Sequence, residues 1–156
     1  MNRGINLEKD FIDFLKFCNH HEVKYLVVGG YAVSIHGYPR STKDMDICIE
    51  LSDTNAEKMV KVIDEFGFGS LKLVKEDFLR KDYITQLGHE PVRIDILNDI
   101  GGVNFSEAWD NRKLVLIESV PVNFIGYNDL LIVKEKAGRP QDLADVSKLK
   151  KRNKLK

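Results

Sequence analysis

Residues 27–50, Val27 to Glu50, read VVGGYAVSIHGYPRSTKDMDICIE. An apolar run ends in the pair Gly29 and Gly30, and a second apolar run begins with Asp44-Met45-Asp46. The segment is neither a phosphate loop nor a dinucleotide fingerprint, because Tyr-Ala-Val-Ser follows Gly30 and no Gly-Lys-Ser/Thr is present. "KYLVVGG" (24–30) predicts a short buried strand closed by its glycines. "YAVSIHGY" (31–38) predicts a two-turn helix stopped by Gly37 and Pro39, and the alternation of residues 44–50 predicts a second strand.

In a strand, residues i and i+2 point to one face. Asp44 and Asp46 therefore project together, while Met45, Ile47 and Ile49 face apolar packing. Two adjacent carboxylates repel, and solvent exposure or a shared divalent cation relieves them. Mg²⁺ is the natural candidate, since it is a hard ion that takes oxygen ligands. "VRIDIL" (92–97) repeats the logic: Val92, Ile94 and Ile96 form one face, and Arg93, Asp95 and Leu97 the other. If the two strands are neighbours, Asp44, Asp46 and Asp95 converge. Two then hold metal, and the third either completes a second metal site or acts as a general base.

An Asp-x-Asp alone has other readings. Haloacid-dehalogenase-type phosphatases place theirs after the apolar run, whereas here the acids come first and "ICI" follows. Glycosyltransferases that use one are generally longer than 156 residues.

Gly29 and Gly30 permit close backbone approach, and amides at a new helix start can bind an anion. Between glycines and acids, Arg40 offers a permanent charge suited to phosphate, and Thr42 and Ser34 offer hydroxyls. His36 reads as a structural hydrogen bonder. His20 and His21 sit at a helix end, where they complement the dipole, and His89 reads as part of a turn.

Elsewhere, helices are predicted over Leu7–Asn19 and Asn55–Phe66, with Gly67 ending the second. Residues 68–90 hold a helical turn at "KEDFLR" and a strand at "YITQLG". "NFSEAWDNR" predicts a short helix or loop, and "KLVLIESVPVNFIG" one or two strands bent near Pro121. Two last helices span Asn128–Ala137 and about Pro140–Lys151, the second with proline at its first position. The pattern is one mixed α/β domain over residues 1–156.

The formal net charge is zero, which points to neither nucleic acid nor membrane. That balance hides an asymmetry: residues 148–156, KLKKRNKLK, carry six cations and no acid. Such a basic tail either attracts phosphate or is a frayed, solvated helix end. Cys18 and Cys48 lie in predicted core segments without a Cys-x-x-Cys partner, which favours a reducing compartment. With no apolar signal region and no run of about 18 apolar residues, the expected location is the cytoplasm.

"VVGGYAVSIHGYPRSTKDMDICIE" followed by "RIDIL" resembles the DNA polymerase β-type nucleotidyltransferase superfamily. The gap between Gly30 and Asp44, holding Arg40 and Thr42, is similar to that of the abortive-infection (type IV toxin–antitoxin) branch. "DLLIVKEKAGRPQDLADVSKL" resembles the C-terminal helix pair of that branch. The resemblance implies a mixed sheet flanked by helices and a nucleoside triphosphate held by Mg²⁺ or Mn²⁺ on Asp44, Asp46 and Asp95. Gly29, Gly30, Ser34, Arg40, Thr42 and Lys134 would contact the nucleotide, and Arg139, Asp142 and Asp145 would form a structural ion network. The acceptor would be RNA, protein or a small molecule, with a homodimer or partner chain completing its site. The alternative is a catalytically silent nucleotide-binding or toxin–antitoxin-type regulatory module.

Overall fold

The computed structural model describes residues 8–39, 42–89 and 92–155. Helix α1 (Lys9–His20) buries Phe11, Phe14, Leu15 and Cys18, the three-and-four spacing that a single helix face requires. Strand β1 (Tyr25–Val28) stops at the glycines, which open helix α2 (Gly29–Ile35). Strand β2 (Asp44–Ile49) returns antiparallel along β1, pairing Val28 with Asp46.

Helix α3 (Asp53–Ile63) starts at Ser52, whose hydroxyl accepts the Asn55 N–H at 3.1 Å. Buried Asn55 in turn accepts the Lys24 N–H and donates to the carbonyls of Lys24 and Glu50, which clamps the start of β1 to the end of β2. A wide turn follows over Asp64–Phe68, broken by Gly67 at φ 108°. A helical turn at Lys75–Phe78 leads to β3 (Thr85–His89), which pairs antiparallel with β4 (Val92–Leu97). His89 is therefore the last residue of a strand, where the sequence suggests a turn.

Helix α4 (Phe105–Asp110) precedes β5 (Lys113–Ile117) and β6 (Val120–Phe124). The reversal between them is Glu118–Ser119, not Pro121. Both turn residues have positive φ, 49° and 69°, as a tight two-residue hairpin requires. Pro121 lies within β6, opposite Leu116. Two non-glycine residues in the left-handed region cost about 1 kcal/mol each. Replacing Glu118-Ser119 by Asn-Gly is therefore expected to raise the melting temperature by about 2–4 °C in a calorimetric scan.

The six strands run in the order β3-β4-β2-β1-β6-β5, with β2–β4 and β1–β6 parallel and the other pairs antiparallel. One sheet face presents Met45, Ile47, Ile94 and Ile96 to the core with α1 and α3. The opposite face is partly covered by α5 (Tyr127–Ala137), which ends at Gly138 with φ 66°. Helix α6 (Pro140–Lys154) packs on α5.

The basic C-terminal stretch is thus mostly the last turns of α6. Leu149 is fully buried there and its carbonyl accepts the Tyr127 hydroxyl at 3.2 Å. Lys148 sits over the Tyr38 ring at 4.6 Å, and Arg152 packs on Gly37, where a Cβ would approach the arginine Cγ to 2.9 Å. Cys18 and Cys48 are buried free thiols. Among the described residues, no helix is long and apolar enough to cross a membrane.

Candidate active site

The acids meet because β2 and β4 are parallel neighbours. Their register sets Asp44 beside Arg93 and Asp46 beside Asp95, so the three carboxylates and one guanidinium share a sheet face. Gly29 follows the strand position that pairs with Asp46, at φ 66°. A Cβ there would overlap the Asp46 carboxylate, and a Cβ on Gly30 would come within 2.9 Å of the Thr42 side chain. The two glycines are thus the positions where the acid strand and its approach segment press on the β1–α2 turn. Thr42 donates to the Asp44 carbonyl at 3.2 Å, which fixes the entry into β2.

A cavity of about 300 Å³ opens beside these groups, lined by Gly29, Asp46, Asp95, Leu97, Lys134 and Arg139 among others. A larger groove of about 870 Å³ lies elsewhere, along Phe17, Phe66 and Phe68. It is more open and lacks the strand carboxylates, so the smaller cavity is the site with convergent polar chemistry.

Arg93 is the group whose role sequence reading left unassigned. Its guanidinium reaches Asp44 Oδ2 at 2.7 Å and binds Asp95 through both Nε and a terminal nitrogen at 3.1 Å. Its place on the face of Asp95 is visible in the alternation of "VRIDIL", but its contact with Asp44 depends on the strand register. One cation against three carboxylates leaves the cluster negative. Asp44 Oδ1 is buried with no hydrogen-bond partner among the described residues. The Asp46 carboxyl is pushed up to about 6, first by burial and then by Asp95 and Asp44, with Arg93 and Lys134 acting against the rise.

Across the cavity, buried Lys134 lies 3.1 Å from Asp145 and 3.4 Å from Asp142. Arg139 adds a 2.6 Å contact to Asp142, and Gln141 donates to Asp145 at 3.0 Å. Burial alone would raise the Asp142 carboxyl, but the Arg139 hydrogen bond and the Lys134 charge outweigh it and hold it below its ordinary value. These residues form an ion network, as the sequence suggests, and Lys134 is a member of it as well as of the cavity wall.

Ser34 donates back to the Gly30 carbonyl at 3.2 Å, within its own helix. His36 is buried and its Nε2 donates to the Ile125 carbonyl at 2.7 Å, a structural bond between α2 and the end of β6. Arg40 lies outside the described residues.

The donor set suits a hard divalent cation, since its oxygens are carboxylate and one is buried without a partner among the described residues. Among the described residues, however, no three His, Cys, Asp or Glu side chains are grouped so as to hold a metal ion as they stand.

A six-stranded mixed sheet flanked by helices, with this topology, is the nucleotidyltransferase fold. It superposes on TM1012 of Thermotoga maritima, described as a candidate nucleotidyltransferase, with a TM-score of 0.64 at 13% identity, covering 95% of this chain and 97% of that one. The lincomycin-bound lincosamide antibiotic adenylyltransferase LnuA gives a TM-score of 0.56 at 16% identity, covering 92% and 96%. An antigenic nucleotidyltransferase-like protein from Paracoccidioides brasiliensis gives 0.53 at 14% identity, covering 92% and 77%. The chain belongs to the family described as "Nucleotidyltransferase of unknown function" (DUF6036), which matches residues 9–155. Comparison with curated protein sequences gives no match.

Proposed function

We propose that this chain transfers a nucleoside monophosphate from a nucleoside triphosphate to an acceptor hydroxyl. The observation that carries the reading is the parallel register of Asp46 with Asp95, one pleat from Asp44 and against Gly29, at the edge of a cavity. Asp44, Asp46 and Asp95 would hold Mg²⁺ or Mn²⁺, which when bound neutralises phosphate charge.

The β1–α2 turn at Gly29 and Gly30, against which Asp46 and Thr42 pack, would lie beside the phosphates, with Ser34, Arg40 and Thr42 supplied by the segment between the glycines and the acids. Lys134 contributes positive potential at Asp46 and so favours its ionised form. In the reaction, the acceptor oxygen bonds to the α-phosphorus and the bond from that phosphorus to the β-bridging oxygen breaks. Pyrophosphate leaves in line. Asp95 either accepts the hydroxyl proton or joins the metal ligands, in which case the proton passes to solvent. Catalysis rests on positioning and charge neutralisation.

The test is incubation with each α-labelled triphosphate and Mg²⁺ or Mn²⁺, with RNA, protein or a small hydroxylated antibiotic such as lincomycin as acceptor. The expected result is label transfer with equal pyrophosphate release, abolished by EDTA. Calorimetric triphosphate binding with no pyrophosphate release would replace the enzyme with a silent nucleotide-binding module.

A further inference from the structure

We propose that Arg93 is a built-in counter-cation that occupies the bridging position between Asp44 and Asp95, so that a divalent metal must displace it to load. The inference rests on the nucleotidyl-transfer reading of the acid cluster.

Three observations support it. First, the guanidinium spans the two strands. It holds Asp95 with two nitrogens and Asp44 with a third contact at 2.7 Å, so the oxygens that would face a shared ion face Arg93 instead. Second, this occupancy explains why three acids at adjacent strand positions do not form a ready-made metal cluster. Third, the substitution is incomplete. With one guanidinium the three carboxylates retain two excess negative charges, the charge of one divalent ion, and Asp44 Oδ1 has no partner among the described residues.

A purely structural ion pair would be expected to satisfy its acceptors, because a buried oxygen without a partner is costly. Arg93 is also about 30% exposed at its side chain, so it can leave toward solvent without breaking the core. An arginine is suited to this duty because it stays charged and its planar fork matches a carboxylate, whereas a metal recovers those oxygens only by competing with it.

The experiment is a Mn²⁺ titration of the full chain without nucleotide, following free Mn²⁺ by electron paramagnetic resonance, for wild type, Arg93→Gln and Asp44→Asn/Asp46→Asn. Arg93→Gln is expected to bind Mn²⁺ at least about ten-fold more tightly than wild type. The double aspartate variant is expected to lose that binding. Unchanged or weaker binding in Arg93→Gln, with wild type binding and the double variant not, would overturn the role of Arg93 and leave the transferase reading standing. Binding that persists in the double variant, or is absent throughout, would overturn both.

A measurement on wild type covers the case in which Arg93→Gln does not fold. The Arg93 Nε–H resonance, protected by its carboxylates, is expected to disappear into solvent exchange on saturation with diamagnetic Mg²⁺. A resonance unmoved by saturating Mg²⁺ would overturn the proposal.

Discussion

Asp46→Asn is expected to lower the proposed nucleotidyl transfer on the order of 10³-fold while making the metal-free protein more stable above pH 6. On the proposed reading, the loss follows from removing a carboxylate that would hold the divalent cation neutralising phosphate charge. The gain follows from the carboxyl itself, which sits at about 6 in the fold against an ordinary 3.8. A proton held more tightly by the folded than by the unfolded chain stabilises the fold. That contribution is complete below about pH 4 and is lost as pH rises through 6, when the buried carboxylate charges beside Asp95 and Asp44. Asparagine fills nearly the same space and never charges. In EDTA at pH 8 the variant should melt about 4–8 °C above wild type, a gain of about 2 kcal/mol allowing for partial exposure. At pH 4.5 the difference should shrink toward zero. Melting curves at the two pH values check the sign, and a variant that melts lower at pH 8 contradicts the electrostatic account of the site.

Lys134→Met has the largest expected effect on stability. Asp142 and Asp145 are 1% and 0% exposed, and Lys134 contacts both from α5. Removing the ammonium takes a cation at 3.1 Å from fully buried Asp145, which also accepts from the Gln141 amide, while Asp142 keeps Arg139. Breaking one side of a buried ion pair costs about 3–5 kcal/mol. For a chain of this size that corresponds to a fall of about 10–15 °C in melting temperature. Adding Asp145→Asn to Lys134→Met should recover a substantial part of the loss, because the buried charge that Lys134 balanced goes with it. Calorimetry of the two single variants and the double variant measures the coupling, and additive losses would show that the three residues do not act as a unit.

The site was legible where a face could be read from period-2 alternation. Asp44, Asp46 and Asp95 each interrupt an apolar strand on its polar side, and that pattern needs no tertiary knowledge. Their meeting did need it. Strand β3 intervenes in sequence and pairs with the outer edge of β4, which leaves the inner edge of β4 to β2. The contact of Arg93 with Asp44 follows only from that register. The reason for the glycine pair is likewise tertiary, since Gly29 and Gly30 lack a Cβ where Asp46 and Thr42 press against them. Pro121 drew attention from the true reversal because Glu118 and Ser119 are not the residues that usually mark a hairpin, although both adopt positive φ. The helices were read closely because their apolar spacing is local. Their ends shifted by a few residues where caps such as Ser52 decide the boundary.

The seating of α6 changes how its charge can be interrogated. Its cations alternate with a residue the core depends on: Lys148 lies against Tyr38 and Arg152 against Gly37, with fully buried Leu149 between them. Cutting the chain before Lys148 would remove a buried leucine and the acceptor of the Tyr127 hydroxyl together with the positive charge. A truncated protein that failed to bind a polyanion would then report a damaged scaffold as readily as a missing electrostatic contact. Neutralising Lys150, Lys151 and Lys154 one by one to glutamine keeps the helix and its anchor, so any salt-dependent change belongs to charge alone.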